Sequence, residues 1–174
     1  MRRTNAAVLL TILPVAALLG ACAGADLKPV ASLNASNMMS PSGYSETKVS
    51  DTQYQVQAAG TEATPKARIE KIARARAAQI GVEEKMKFYK VASVQHGVAC
   101  QKAHEFYKGG TTSKGSRQTV VLDVVYAKEQ ADPTFVSTAD SYIALSGELA
   151  SEEVPPEAKA AAEQEARAGC GQPT

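Results

Sequence analysis

Tryptophan is absent from this 174-residue chain, and aromatic surface comes from only three phenylalanines and six tyrosines. A core without indole rings must be filled by aliphatic side chains and alanine, so it is modest and its helices approach through small residues. An excess of either charge is also missing: 19 Lys and Arg stand against 18 Asp and Glu. That excludes a nucleic-acid binder, which needs a basic excess or stripe. Histidine occurs twice and cysteine three times, which leaves little material for a metal cage or a Cys–His pair. The glycine-rich stretch KGGTTSKGSR (108–117) lacks the G-x-x-x-x-G-K-[ST] spacing that cradles phosphate. No paired carboxylates and no Ser/His/Asp set announce themselves. Asp123, placed mid-strand, has no evident partner.

What is present begins with Arg2 and Arg3, the sole charges before Asp26. Ala6 to Gly20 follows, apolar apart from Thr11 and Pro14 and short of the about 20 residues a bilayer-spanning helix needs. A basic start, a short apolar middle and small residues at its end describe a secretory signal peptide over residues 1–21. Leu19-Gly20-Ala21-Cys22 resembles the lipobox of bacterial lipoproteins. The resemblance implies cleavage before Cys22 and a diacylglycerol on its thiol. A single acyl chain binds a bilayer only marginally, at about 0.8 kcal/mol per buried methylene, whereas two or three make release negligible. Ala23 stands where an aspartate retains many such proteins in the inner membrane, so the expected location is the outer membrane, facing the periplasm.

Cleavage removes Arg2 and Arg3, taking Lys and Arg from 19 to 17 against 18 acids, a net charge near −1. About 150 residues remain, the size of one domain. Cys100 and Cys170 are then the two unmodified cysteines, and in an oxidising compartment they are expected to form one disulfide. Closing a loop of about 70 residues stabilises by about 4 kcal/mol in the chain-entropy picture.

Residues 22–42 carry no clear period and are expected to form the lipidated terminus and a flexible tether, with a single domain over 43–174. Gln53, Gln55 and Gln57 alternate with Tyr54, Val56 and Ala58, a strand with one wet face; GYSETKV before it is its hairpin partner, with Ser50-Asp51 in the turn. Thr64 as cap, Pro65 in the first turn and Gly81 as stop bound the clearest helix. Ile69, Ile72, Ala73, Ala77 and Ile80 share a face; Lys66, Arg68, Lys71 and Arg74 form a basic surface, solvated or turned to anionic lipid headgroups. Strands follow at Phe88–Val94 and Gln118–Ala127, the latter with Val120, Leu122, Val124 and Tyr126 on one face. Ser137 or Thr138 caps a helix to about Leu149, with Tyr142, Ile143 and Leu149 inward. Pro155-Pro156 opens a last helix to Gly169 whose apolar face is almost only alanine. A Cys100–Cys170 bridge would pin its far end to the sheet.

Part of this pattern resembles a family of small, uncharacterised lipoproteins of Gram-negative bacteria. Gly43, Tyr44, Ser45 and Glu46 match its first segment, Tyr54 and Val56 its second, Gly60 and Thr64 its third, and Arg76, Ala77 and Ala78 its helix; Phe88 and Tyr89 open the next strand. Gln79 replaces the family's usual glutamate. The resemblance covers residues 42–92 and implies a lipid-anchored α+β domain, with no catalytic residue or cofactor to carry over.

HGVACQKAH (96–104) holds both histidines of the chain. On a continuous helix His96, Cys100 and His104 would share one stripe, and two imidazoles with a thiolate can bind zinc. Gly97 and the strand-like run before it oppose that helix, and Cys170 competes for Cys100. The expected architecture is α+β: a small antiparallel sheet of three to four strands with one main helix packed on it, then C-terminal helices. The expected function is a non-enzymatic structural or interaction module of the cell envelope, meeting the membrane through its lipid and an envelope protein as partner, without a cofactor. The alternative is a metal- or small-ligand-binding periplasmic lipoprotein using His96, Cys100 and His104.

Overall fold

A computed structural model describes residues 30–37, 42–100 and 115–172. The leader, Cys22, His104 and most of the KGGTTSKGSR stretch lie outside these residues. The fold is α+β, a five-stranded antiparallel sheet with three helices.

Gly43–Ser50 (β1) and Gln53–Ala59 (β2) form a hairpin whose turn is Asp51-Thr52, one residue later than the sequence suggested. Lys66–Glu83 (α1) then crosses one sheet face. Phe88–Cys100 (β3) and Ser116–Ala127 (β4) form a long second hairpin, and β4 inserts between β2 and β3. Val136–Ser137 (β5) adds a two-residue edge to give the order β1-β2-β4-β3-β5. Thr138–Ser151 (α2) packs against α1, and Pro156–Gly169 (α3) lies along the start of β4. Because β2 and β3 both pair antiparallel with β4, the β2–α1–β3 unit is a split crossover with a strand threaded through its gap.

Strand alternation decides what α1 covers. Tyr54, Val56 and Ala58 of β2 and Val120, Leu122, Val124 and Tyr126 of β4 are buried under it with Ile69, Ile72, Ala73, Ala77 and Ile80. Tyr126 supplies the aromatic centre. Its ring meets Tyr54 edge-on at 5.6 Å and stacks on Tyr89 at 6.2 Å, and its hydroxyl donates to the Ala77 carbonyl at 2.7 Å. Burial raises the pKa of that phenol. The opposite sheet face, with Gln53, Gln55 and Gln57 exposed as the glutamine alternation implied, carries no helix among the described residues.

Four local expectations differ from the structure. Thr64 does not cap α1: Pro65 is the N-cap and makes no side-chain cap bond. The Thr64 hydroxyl is buried instead and accepts from the amides of Thr61 (2.9 Å) and Ala31 (3.0 Å). Gly81 does not stop α1, which runs on to Glu83. Lys85 N–H reaches the Val82 carbonyl and Met86 N–H the Gly81 carbonyl, a Schellman ending with Lys85 at φ 56° where glycine is usual. Ile143, expected inward, is 70% exposed, because α2 turns only Leu149 and part of Tyr142 and Leu145 into the core. Finally, residues 30–37 of the expected flexible tether pack on the domain, with Ala31 buried at 3% exposure and Ala35 bridged to Tyr44.

Gly81 is required by packing rather than by helix termination. A Cβ there would sit 2.3 Å from Thr138 Cγ2. Thr138 cannot rotate away, since its hydroxyl donates toward the Met86 and Lys87 carbonyls. Gly81→Ala should therefore lower stability by about 1–2 kcal/mol, overpacking outweighing the gain in helix propensity. A lowered urea midpoint at constant slope is the expected result, and an unchanged or raised midpoint contradicts the packing account.

Candidate functional site

Cys100 and Cys170 are bonded, with Cα atoms 5.6 Å apart, as the cysteine arithmetic suggested. The bond joins the end of β3 to the residue after α3. Two further contacts run along the same seam. The Glu165 carboxylate of α3 accepts from Lys66 at the start of α1 and from Gln118 Nε2 of β4, the latter at 2.7 Å. These two donors, Lys66 first, hold the Glu165 pKa below the usual carboxylate range. Only Ala162 and Ala166 of α3 are buried, so its apolar contact is small. The covalent bond and the Glu165 contacts hold what two methyl groups hold weakly.

His96 lies within β3, which is a strand through Cys100, so the helical stripe of His96, Cys100 and His104 does not form. Four residues along a strand separate Cα atoms by about 13 Å. Cys100 is spent in the disulfide and is not a thiolate ligand; His104 lies outside the described residues. His96 Nε2 instead sits 3.3 Å from Glu70 Oε2 of α1. Among the described residues, no group of three or more His, Cys, Asp and Glu is placed to hold a metal ion.

Asp123 sits at the centre of the open sheet face and has two partners that sequence spacing did not reveal. Gln55 Nε2 donates to Oδ1 at 3.2 Å and the Ser93 hydroxyl to Oδ2. Ser93 first, then Gln55, lowers its pKa, which keeps it an anion rather than a proton donor. A surface cavity of about 220 Å3 opens where β2 ends and β4 begins, lined by Gly60, Thr61, Glu62, Ser116 and Arg117. Ser116 Oγ is buried there with no hydrogen-bond partner among the described residues.

The cations of the α1 basic surface are paired with carboxylates, although Lys66 and Arg74 remain partly exposed to solvent. Arg68 donates through Nη1 to Glu152 at 2.7 Å, and Lys71 lies 3.2 Å from Glu148 and 3.4 Å from Glu152, all at the end of α2. Arg74 donates to Glu70 at 2.8 Å, and Lys66 meets Glu165. Arg76, absent from the expected basic set, is nearly buried and reaches Glu46 of β1 at 2.6 Å and Glu83 at 2.9 Å. Burial opposes the Arg76 charge, but the hydrogen bonds to Glu46 and Glu83 outweigh it and raise its pKa. Its guanidinium also stacks 5.0 Å from the Tyr44 ring centre. Thus Tyr44 and Glu46 of β1 meet Arg76 of α1 at one junction.

No family model matches this chain, and neither does any curated protein or any solved structure.

Reducing the disulfide isolates its contribution. The Cys100→Ser/Cys170→Ser protein should lose up to about 4 kcal/mol by the loop-closure estimate. Amide exchange at Ala162 and Ala166 should accelerate more than at Leu122. Equal acceleration at all three would show that α3 does not depend specifically on the bond.

Proposed function

We propose that this chain is a lipid-anchored cell-envelope protein whose single α+β domain serves as a non-enzymatic structural or interaction module. The observation that carries the reading is Leu19-Gly20-Ala21-Cys22 directly behind a short apolar run with a two-arginine start. The bonded Cys100 and Cys170 support it, since such pairs persist in oxidising compartments. Cys22 is the acylated residue, the outer membrane facing the periplasm is the location, and the domain meets an envelope protein there. Ion pairs that look like a basic lipid-binding surface serve internal packing, so acyl chains, not side-chain charge, supply the membrane affinity. Among the described residues no helix is long and apolar enough to cross a membrane.

The test is expression of the full chain in a Gram-negative host. Intact mass should show loss of residues 1–21 and a diacylglycerol or triacyl addition at Cys22, and the protein should fractionate with membranes. Cys22→Ser should abolish the added mass and release the domain or leave the precursor unprocessed. An unmodified amino terminus in wild-type protein, or turnover of a substrate by the purified domain, contradicts the reading.

A further inference from the structure

Ala31 is fastened on both sides of its peptide backbone. Its N–H donates to Thr64 Oγ1 at 3.0 Å, and its carbonyl accepts from Arg68 Nε at 3.0 Å. A few residues on, Tyr44 N–H donates to the Asn34 carbonyl at 2.9 Å and Ser36 N–H to the Tyr44 carbonyl at 2.7 Å. These bonds occupy the outer edge of β1 over one ladder step. Gly43 makes the close approach possible: its φ is +124°, and a Cβ there would fall 2.2 Å from the Asn34 carbonyl oxygen.

The consequence is a matter of chain length. From Cys22 to Ala31 there are nine residue steps, and whatever their conformation they span at most about 30 Å. Had the domain begun at β1, as the sequence suggested, 21 steps would have allowed about 70 Å. We propose that residues 30–37 form a strap that more than halves the reach of the lipid anchor, so that the partners of this domain are components embedded in, or attached to, the bilayer leaflet that holds it. The proposal rests on acylation of Cys22. The attachment point lies beside the first turn of α1 and the last turn of α2, where Arg68 and Lys71 are neutralised by Glu148 and Glu152 and Glu153 is exposed. Because Arg68 and Lys71 are spent on these carboxylates, proximity to lipid is imposed by the leash and is independent of salt.

Neutron reflectometry of the acylated protein in a supported phosphatidylethanolamine/phosphatidylglycerol bilayer measures the height of the protein layer. Wild type should form a thin layer of the same thickness at low and high salt. Inserting fifteen Gly/Ser residues after Gly24 should move its outer edge outward, and Gly43→Ala and Ala31→Glu should do the same by opening the strap. Circular dichroism and melting of each variant establish that the sheet is retained. A wild-type layer as extended as that of the insertion variant overturns the proposal, as does a thickness that varies with salt. Hydrogen exchange on the soluble Cys22→Ser domain tests the strap without the lipid. Amides of Ala31, Ser36 and Tyr44 should exchange at least a hundredfold slower than in an unstructured peptide, and free-peptide rates there overturn the proposal too. Slow exchange in a protein whose wild-type mass shows no acyl group would instead remove the envelope reading and leave the strap as a fact of the fold.

Discussion

The Arg68 guanidinium holds together three parts of the chain that are distant in sequence. Its Nε donates to Ala31 in the strap, Nη1 to the Glu152 carboxylate, and Nη2 to the Leu149 carbonyl at 3.2 Å. The last two sit at the C-terminal end of α2, where unpaired carbonyls and the helix dipole favour a cation. Arg68 is 6% exposed, so its charge has lost most of its water and requires these partners. A planar fork with donors fixed in several directions can serve all three, which an ammonium on a flexible stem cannot do with the same geometry.

The same device recurs along α1. This helix is rich in alanine, which lets it approach the sheet closely but gives it little area to bury. Cations projecting from its flanks then reach the surrounding elements: Arg76 to β1, Arg68 and Lys71 to α2, and Lys66 to α3. Apolar contact sets the distance between α1 and the sheet, while charged contacts set where the sheet edge, the second helix and the third helix lie around it. The disulfide completes the arrangement by fixing the far end of α3, the element with the least apolar surface. The result is a domain whose outer face is nearly balanced in charge although its central helix is strongly basic.

Much of this fold was legible where a period was clean. The β2 glutamines, the alternating valines of β4 and the proline-opened α3 each have a pattern with one physical interpretation, and the structure follows them. The α1 pattern was read correctly as a helix and incorrectly as one-sided. Covered by the sheet and by α2, it buries Ala75, Arg76 and Ala78 as well, and no single face shows in its sequence. The role of its cations was hidden for a related reason: a lysine or arginine looks the same in sequence whether its partner is water or a carboxylate 84 residues away, as for Arg68 and Glu152. Thr64 and Gly81 were assigned to helix ends on local propensity, yet tertiary neighbours, Ala31 and Thr138, account for both. Disulfide pairing was legible by arithmetic, because few cysteines were left to pair. The strap was not, since a short mixed stretch held by backbone hydrogen bonds, with Ala31 and Leu33 its contacts to the core, leaves no clear period in its side chains.

The most direct measurement is the stability and local exchange of Arg68→Met, which keeps the stem and removes the three donors. The account predicts a loss of about 2–4 kcal/mol in urea unfolding. It also predicts simultaneous deprotection of the Ala31 and Ser36 amides and of the Glu152 amide, which closes α2 on the Glu148 carbonyl. Arg68→Lys should recover only part of the loss. An Arg68→Met protein with an unchanged midpoint and wild-type protection in both segments would contradict the claim that this guanidinium joins them.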